Sequence, residues 1–409
     1  MGHTLKEPLN MQAKLQLTVI FSALAFFTSA CSATPAADPT SPPIDTGATA
    51  ISMASTMAAE TMAAIPTETT IPTPTEVPFY LTANIWAEEP RVPIINYHQF
   101  APNTSLRSTD HKIRKRDFLD GLEALNQAGF TLIHLEDWIN SDLYVPEGRR
   151  PLVFTMDDLF YNNQIRMDEN GEPRRDTGLS FAWRYGQEHP EFGFKWSLFA
   201  NLGDKWYADG DTEGKWKDEL AQSLIWCLEH DARVYNHTYQ HIRMDKSGAE
   251  GILWDLEQND LFMRELLVKA GREDLIEDLG NMLAIPFGYW PEGSAYSATT
   301  NYITPEGKPM LAIFDIDWII NGVKFMAPPY SPEFDPMKIP RIAMPPEAIE
   351  YLVAHQNEFP TPSTCQVGPL EEDKVGDQAY LEGQIQAQIT SGACPQGVYI
   401  LENFNFDLR

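Results

Sequence analysis

The sequence of 409 residues is poor in basic side chains. It has 30 lysines and arginines against 58 aspartates and glutamates, which gives a formal net charge of −28 at pH 7. This shortage of positive charge argues against binding nucleic acid, or an anionic membrane surface, through charge. We therefore expect a neutral or cationic partner.

Cysteine is also scarce, with four residues in the whole chain. Neither close Cys spacing nor an adjacent histidine is present, which argues against a metal site built on cysteine. Cys227 lies on the apolar face of a predicted helix and is interpreted as a buried thiol. No internal repeat is visible. With 43% hydrophobic residues the chain nevertheless has enough apolar side chains for one large folded domain.

The N-terminal apolar stretch, Leu15 to Phe27, is shorter than the roughly 20 residues that a membrane-spanning helix needs. It follows Lys14 and leads through small residues to Cys31, as in an export signal. The end of this segment resembles a degenerate bacterial lipobox. Residues 1–31 therefore predict a lipoprotein signal peptide, starting at Met11, whose Cys31 becomes lipidated. A transmembrane anchor is the alternative. We expect an exported protein anchored by lipid to the outer face of a bacterial membrane.

Residues 32–78 consist mainly of Thr, Ala, Pro and Ser, which predicts an extended, solvated linker. The folded part is expected to comprise a main domain, 79–348, and a small C-terminal extension, 349–409. In an exported protein, Cys365 and Cys394 are expected to form a disulfide that closes a loop of about 30 residues in this extension.

Within the folded part, short apolar runs alternate with helical periods. The predicted strands are VPIINY (92–97), TLIHL (131–135), PLVFT (151–155), FKWSLFANL (194–202), RVYNHTY (233–239), MLAIPFGYW (282–290), PMLAIFDIDW (309–318) and IPRIAM (339–344). The predicted helices are DFLDGLEALNQAGF (117–130), WKDELAQSLIWCLEH (216–230) and GILWDLEQNDLFMRELLVKAG (251–271). This α/β alternation predicts a parallel sheet or barrel with its active site at the carboxyl ends of the strands.

Acidic and imidazole side chains follow two of these strands. Asp157 and Asp158 come after PLVFT, and the motif NHTYQH places His237 and His241 four residues apart. This spacing puts both imidazoles on one face if the chain turns into a helix there. Two imidazoles and one carboxylate suit a catalytic divalent metal, zinc best. One aspartate suffices as ligand, so the other can act as a base. Taken alone, an Asp pair more often marks a solvated turn or a helix cap.

Together these motifs resemble the polysaccharide deacetylase family, the NodB-homology group or carbohydrate esterase family four. The segment TMDDLFYNN is similar to the family's T-F-D-D-G-Y pattern, NHTYQH to N-H-[ST]-x-x-H, and IPFGYWP to a proline-aromatic-glycine motif that lines the groove. VPIINYHQF and IPRI resemble its opening and closing strands, so the match spans 92–344. The resemblance implies a distorted (β/α) barrel and metal-dependent hydrolysis of N-acetyl or O-acetyl groups on a polysaccharide.

Carried over to this chain, the resemblance makes Asp157 the general base and makes Asp158, His237 and His241 the metal ligands. His98, on the first strand, is the candidate for a further catalytic residue; a hydrogen-bonded core histidine is its alternative. The implied oxyanion donors are the backbone N–H groups of Leu159 or Tyr239. Residues expected to line the substrate groove are Tyr161, Pro286, Phe287, Tyr289 and Trp290. Trp183 and Trp196 are expected either to stack on sugars or to pack in the core.

Three departures from the family pattern bear on activity. Leu159 replaces the usual Gly after the Asp pair, and Ala284 stands where an arginine often orients the base. The chain has no Leu-x-His motif near a terminal strand that would supply the acid histidine. His355 lies beyond IPRI in an apparent helix. Asp315 and Asp317 either assist catalysis or cap a turn. The alternative function is therefore a non-catalytic sugar-binding lipoprotein on the same fold. A second alternative is a related hydrolase that uses the same metal to cleave another kind of bond.

Overall fold

The structure is a computed structural model that describes residues 78–87, 90, 92–109, 111–161, 163–203, 215–316, 329, 331–343, 345–401 and 404–408. The predicted signal peptide with Cys31 lies outside the described residues. So do the linker up to residue 77 and Asp317. None of the helices that the structure describes combines the length and the apolar character that crossing a bilayer requires.

The strands are named in chain order. They are β1 (Phe79–Trp86), β2 (Ile94–Tyr97), β3 (Gln99–Ala101), β4 (Lys112–Arg114), β5 (Phe130–Leu132), β6 (Arg150–Leu159), β7 (Trp196–Ala200), β8 (Ala232–Asn236), β9 (Met282–Ala284), β10 (Ala312–Phe314), β11 (Ser363–Leu370), β12 (Gly397–Leu401) and β13 (Phe404–Leu408).

The α-helices are α1 (Lys115–Gln127), α2 (Leu135–Ile139), α3 (Gly178–Glu188), α4 (Lys215–Glu229), α5 (Ala249–Lys269), α6 (Gly293–Thr300), α7 (Pro345–Ala354) and α8 (Gln378–Thr390). Helix α3 is not among the helices expected from the sequence. Its face of small and apolar residues, including Leu179 and Ala182, is buried.

The main sheet is parallel, in the order β10-β9-β8-β7-β6-β2, with β5 pairing alongside the start of β6. Every pairing between its strands is parallel. Parallel strands need long crossovers, and the helices between them provide these connections. The strands are buried on both faces, as the continuous apolar runs of the sequence indicate.

The segment 339–342 closes this sheet into a ring. Ile339 bridges to Phe314 of β10, and Ile342 bridges to Ile95 of β2, both in parallel register. On the β2 side, the Ile342 N–H donates to the Ile94 carbonyl at 2.8 Å and the Asn96 N–H donates back to Ile342 at 2.9 Å. The two edge strands are thereby joined, and the predicted distorted (β/α) barrel is confirmed.

A second, antiparallel sheet has the order β11-β1-β12-β13. Strand β1 precedes the barrel in sequence, whereas the other three follow it, so segments from both sides of the barrel share this sheet. Helix α8 packs on it through Leu381 and Ile385. A disulfide joins Cys365 of β11 to Cys394, 29 residues later. Cys227 of α4 is a free, fully buried thiol. The predicted domain limits at 348 and 349 stay predictions.

Candidate metal centre

The two predicted motifs meet at the carboxyl ends of β6 and β8, two barrel strands that flank β7. Asp158 lies near the end of β6, and His237 and His241 follow β8. Each of the three offers one ligand atom, and these atoms all lie within 4.8 Å of one another. Asp158 Oδ1 is 3.8 Å from His237 Nε2 and 3.5 Å from His241 Nε2. The Asn201 amide donates to the same carboxylate oxygen at 3.0 Å.

These distances fit a divalent ion. Ligands about 2.1 Å from a tetrahedral zinc lie about 3.4 Å apart, close to the spacings within this cluster. His237 Nδ1 contacts the Ala284 carbonyl at 2.8 Å, which assigns the proton to Nδ1 and leaves Nε2 as the ligand atom. Burial lowers the pKa of His237 to about 3, although Asp157 opposes the shift, so the imidazole is neutral as a metal ligand must be.

The His-x-x-x-His segment is an irregular loop, so the helix considered in the sequence analysis is absent at residues 237–241. Asp158, Thr238 and His241 have φ values of 58°, 61° and 52°, in the left-handed region that non-glycine residues seldom adopt. Such backbone conformations persist where the surroundings fix them, and they cluster at functional sites. The two imidazole rings still meet, with centroids 4.9 Å apart.

Helix α5 fixes the backbone of this loop. Asp255 accepts hydrogen bonds from Tyr239 N through its carbonyl, at 3.2 Å, and from Gln240 N through its carboxylate, at 3.1 Å. The Asn236 side chain accepts from Thr238 N at 2.8 Å. Two side-chain acceptors and one backbone carbonyl thus take the N–H groups of residues 238–240. The Tyr239 N–H is engaged in this contact, so the prediction that it serves as an oxyanion donor is wrong.

Asp157, the predicted base, is completely buried beside the ligand cluster. Arg341 holds it with two parallel hydrogen bonds, at 2.7 Å to Oδ1 and 2.8 Å to Oδ2, and the Asn96 amide donates at 3.1 Å. Burial alone would raise the pKa of Asp157, but the charge of Arg341 and its hydrogen bonds lower that pKa well below its usual range. The carboxylate is therefore ionised and fixed in orientation.

Arg341 is the residue that sequence reasoning missed. It lies in the segment that closes the barrel, and its remaining N–H groups reach Asn96 at 3.0 Å and the Asp315 carbonyl at 3.0 Å. Arg341 thus places an arginine beside Asp157 from a different strand, although position 284 holds an alanine. The sequence contained a signal for this residue, because an arginine inside the apolar run IPRIA requires a buried partner of opposite charge.

His98 lies at the end of β2, next to the site. Burial lowers the pKa of His98 to about 4, and the nearby Asp157 carboxylate opposes this shift. Its ring meets that of His111 edge to face, with centroids 5.1 Å apart. Within the described part of the chain, His98 Nδ1 is buried without a hydrogen-bond partner. A catalytic role for His98 stays a prediction.

The proline-aromatic-glycine motif forms one wall of the site. Pro286–Gly288 is a short turn after β9, in which Pro286 is buried and Phe287 is 47% exposed. The Phe287 ring lies 4.4 Å from the His241 ring, centroid to centroid. Tyr289 is 49% exposed and carries the Arg243 guanidinium 3.7 Å above its ring. Trp290 donates from Nε1 to Asp315 at 2.9 Å.

Other residues singled out from the sequence are placed as follows. Tyr161 follows the Asp pair and its N–H donates to the Asp158 carbonyl at 3.2 Å. Trp196 is buried in the core against Tyr97 and Phe154, so it cannot stack on a sugar; Trp183 packs on Trp226 of α4. Leu159 is also buried in the core, so its side chain does not narrow the groove. His355 stacks on Tyr351 at the end of α7.

No family model matches the chain, and no curated protein matches it. Among solved structures it is similar to the Streptococcus pyogenes deacetylase PplD in complex with acetate, at 12% identity and a TM-score of 0.40, over 64% of this chain and 98% of that one. IcaB from Ammonifex degensii is 15% identical, with a TM-score of 0.40 over 66% and 97% of the two chains. A polysaccharide deacetylase from Bacillus cereus is 17% identical, with a TM-score of 0.41 over 65% and 69%. Identities and scores this low leave the function to be argued from this chain's own residues.

Proposed function

We propose that this chain is a metal-dependent hydrolase that removes N-acetyl or O-acetyl groups from a polysaccharide. One observation carries the proposal: the ligand atoms of Asp158, His237 and His241 converge within 4.8 Å, and the ionised carboxylate of Asp157, fixed by Arg341, lies beside them. The side chains of Asp158 and His241 are 14% and 22% exposed, which leaves a solvent-facing side for water and substrate. Zinc is the metal that this donor set suits best.

Different residues of the chain have different roles in the proposed hydrolysis. A divalent ion held by these ligands would lower the pKa of a water molecule and polarise the acyl oxygen. Asp157 is ionised at neutral pH and takes a proton from the attacking water, while Arg341 keeps the carboxylate aimed. The proton that Asp157 takes up can pass to the departing amine or alcohol, and His98, next to Asp157, is the candidate for a residue that assists this transfer. The Leu159 N–H remains the candidate backbone donor to the oxyanion.

The aromatic wall supports a sugar as substrate. Phe287 and Tyr289 are each about half exposed, and the Phe287 ring lies beside His241 of the ligand cluster. Aromatic rings stack on the apolar C–H face of a pyranose, and this contact does not require a charge on the sugar. A neutral polysaccharide is also compatible with a formal net charge of −28 on the chain, whereas a polyanion is not.

The test measures acetate release from a panel of acetylated glycans, together with bound metal, in wild type and in single variants. Asp158→Asn, His237→Ala and His241→Ala should retain less metal, because each removes a ligand. Asp157→Asn should keep the metal while turnover falls by about 10²- to 10⁴-fold, the usual contribution of a general base. Because this variant leaves the buried Arg341 without a charged partner, its free energy of unfolding is measured in parallel and activity is compared per folded protein.

Two outcomes would contradict these roles. Equal metal content in all four variants would remove the ligand assignment, and unchanged acetate release in Asp157→Asn would remove the base. If wild type binds metal and glycan but releases no acetate, the alternative of a sugar-binding lipoprotein replaces the enzyme. The missing acid motif favours that alternative.

A further inference from the structure

A second cavity lies at the other end of the barrel from the metal centre. It has a volume of about 790 Å³. Its lining comes from β1, from α2 and the loop after it, from Lys195 directly before β7, and from the C-terminal part of the chain. Asn201, which contacts Asp158, directly follows β7. Six residue steps of extended chain separate Lys195 from Asn201, a distance on the order of 20 Å. The cavity is therefore distinct from the proposed catalytic groove.

Two tyrosines expose about half of their surface at this cavity. Tyr80 is 45% exposed and Tyr144 is 49% exposed, and both line the cavity. The backbone directs Tyr80: the register between β1 and β11 shifts between Phe79 and Leu81, and a bulge of this kind turns a side chain to a new direction. A Cβ at Gly368 would lie 2.8 Å from Tyr80 Cδ1, so the absence of a side chain at this glycine leaves room for the ring.

Charged groups surround the two rings. Asp137, Asp142 and Lys195 also line the cavity, and Lys195 Nζ lies 3.7 Å from Asp137 Oδ2. Two carboxylates against one ammonium give this lining a net negative charge, in a chain whose overall charge is −28. Carboxylates accept hydrogen bonds from hydroxyl and ammonium groups, while tyrosine rings cover apolar C–H faces. An oligosaccharide that carries amines matches both features.

We propose that this cavity is a second, non-catalytic binding site for the amine-bearing hexosamine units that deacetylation produces. The inference rests on the proposed function, because removal of N-acetyl groups turns a neutral polymer into a cationic one. A polymer held at this second site stays near the metal centre, which raises its effective concentration there without any new contact at the site of reaction.

The experiment titrates the full mature protein with glucosamine hexamers of β-1,4 and β-1,6 linkage, and with the fully N-acetylated hexamers as neutral probes. At least one glucosamine hexamer should bind more tightly than its acetylated form. Tyr144→Ala and Tyr80→Ala should each weaken that binding about tenfold, through the loss of one stacked ring. Tyr144→Phe keeps the ring and should bind within about twofold of wild type. Tyr351→Ala, a tyrosine on α7, is the matched control.

Binding that is unchanged in both alanine variants overturns the proposal, and so does equal affinity for the two forms of the hexamer. Acetate release from a short acetylated oligosaccharide is measured in the same proteins and should be unchanged in Tyr144→Ala. If wild type releases no acetate but tyrosine-dependent binding persists, the second site stands and the catalytic function fails. If acetate is released and the tyrosines have no effect on binding, the second site alone fails.

Discussion

Arg341 and Asp157 form an ion pair in which both side chains are fully buried. Removing one member of such a pair leaves the other charged, buried and uncompensated, which typically costs about 3–5 kcal/mol. We therefore expect Arg341→Met to lower the free energy of unfolding by about this amount, measured by urea denaturation. The double variant Arg341→Met with Asp157→Asn should recover part of the loss while remaining inactive, because the stranded charge is removed but the base is not restored.

The matched control is Arg174→Met. Arg174 pairs with Asp176 at 2.9 Å, but its side chain is 44% exposed, so water replaces the lost partner. Arg174→Met should therefore change the free energy of unfolding only slightly. If Arg341→Met destabilises the chain no more than Arg174→Met, the buried pair is not a determinant of stability.

Asp260 is a second buried carboxyl, located on α5 behind the histidine loop. Burial raises the pKa of Asp260 to about 7, although hydrogen bonds from Tyr302 and Asn236 oppose the shift. A folded-state pKa above the unfolded value stabilises the fold at low pH. This contribution is complete below pH 4 and is lost as the pH rises through about 7. Between these limits it changes the free energy of unfolding by about 4 kcal/mol.

Asp260→Asn should flatten this dependence. An asparagine keeps a polar side chain for Asn236 and Tyr302 but does not titrate. Urea denaturation at pH 5, 6, 7 and 8 compares the two proteins, and the difference between them should change in favour of the variant as the pH rises. A constant difference across the series would contradict a raised pKa at this position.

At the residue scale the sequence predicted the side chains that converge but not all of the contacts that orient them. Asp158, His237 and His241 follow recognisable strand ends, so a local pattern was enough to group them. Arg341 is separated from Asp157 by 184 residues and meets it through closure of the barrel. A contact of that range depends on strand order, which no local pattern reports.

Among the elements, helix α5 has the clearest effect on the site. Its Asp255 is buried, and the carboxylate accepts a hydrogen bond from the N–H of Gln240, between His237 and His241 in the chain. Groups that orient metal ligands in this way typically contribute about 10- to 100-fold in metal affinity. We expect Asp255→Ala to weaken zinc binding by that factor, as measured by competition with a chelator.

Glu257→Ala is the control on the same helix, because Glu257 is exposed. It should bind zinc like wild type. Comparable losses in both variants would indicate a general weakening of the helix, and equal affinity in both would show that Asp255 does not position the loop.

The elements themselves were predicted in type more reliably than in extent. Helix α5 was expected at 251–271 and spans Ala249–Lys269. It was predicted within two residues at each end because its apolar period extends over many turns. Strand β8 was expected to reach residue 239 but ends at Asn236. The Asn236 side chain binds the backbone two residues later and stops the strand there. Competition between side chain and backbone of this kind has no periodic signature.

For the molecule as a whole, we propose export and a lipid anchor at Cys31. The support is the short apolar stretch that ends in small residues and Cys31. Cys31→Ser should block processing or release the protein from the membrane fraction, because one lipidated residue is the proposed anchor. Fractionation and intact mass measure both effects. A variant that pellets with membranes at its unprocessed mass would indicate an uncleaved helix as the anchor.

The small sheet that joins β1 to β11 and β12 has a consequence for biosynthesis. Ala83 of β1 pairs with Cys365, so the first described strand has no partners until nearly 300 residues later in the chain have been made. A chain emerging at about 5–20 residues per second therefore carries an unpaired, largely apolar strand for tens of seconds. Such a strand is a template for wrong pairing. Passage across the membrane before β11 and β12 form would place that risk outside the cell, where a chaperone that shields Phe79–Trp86 would act first.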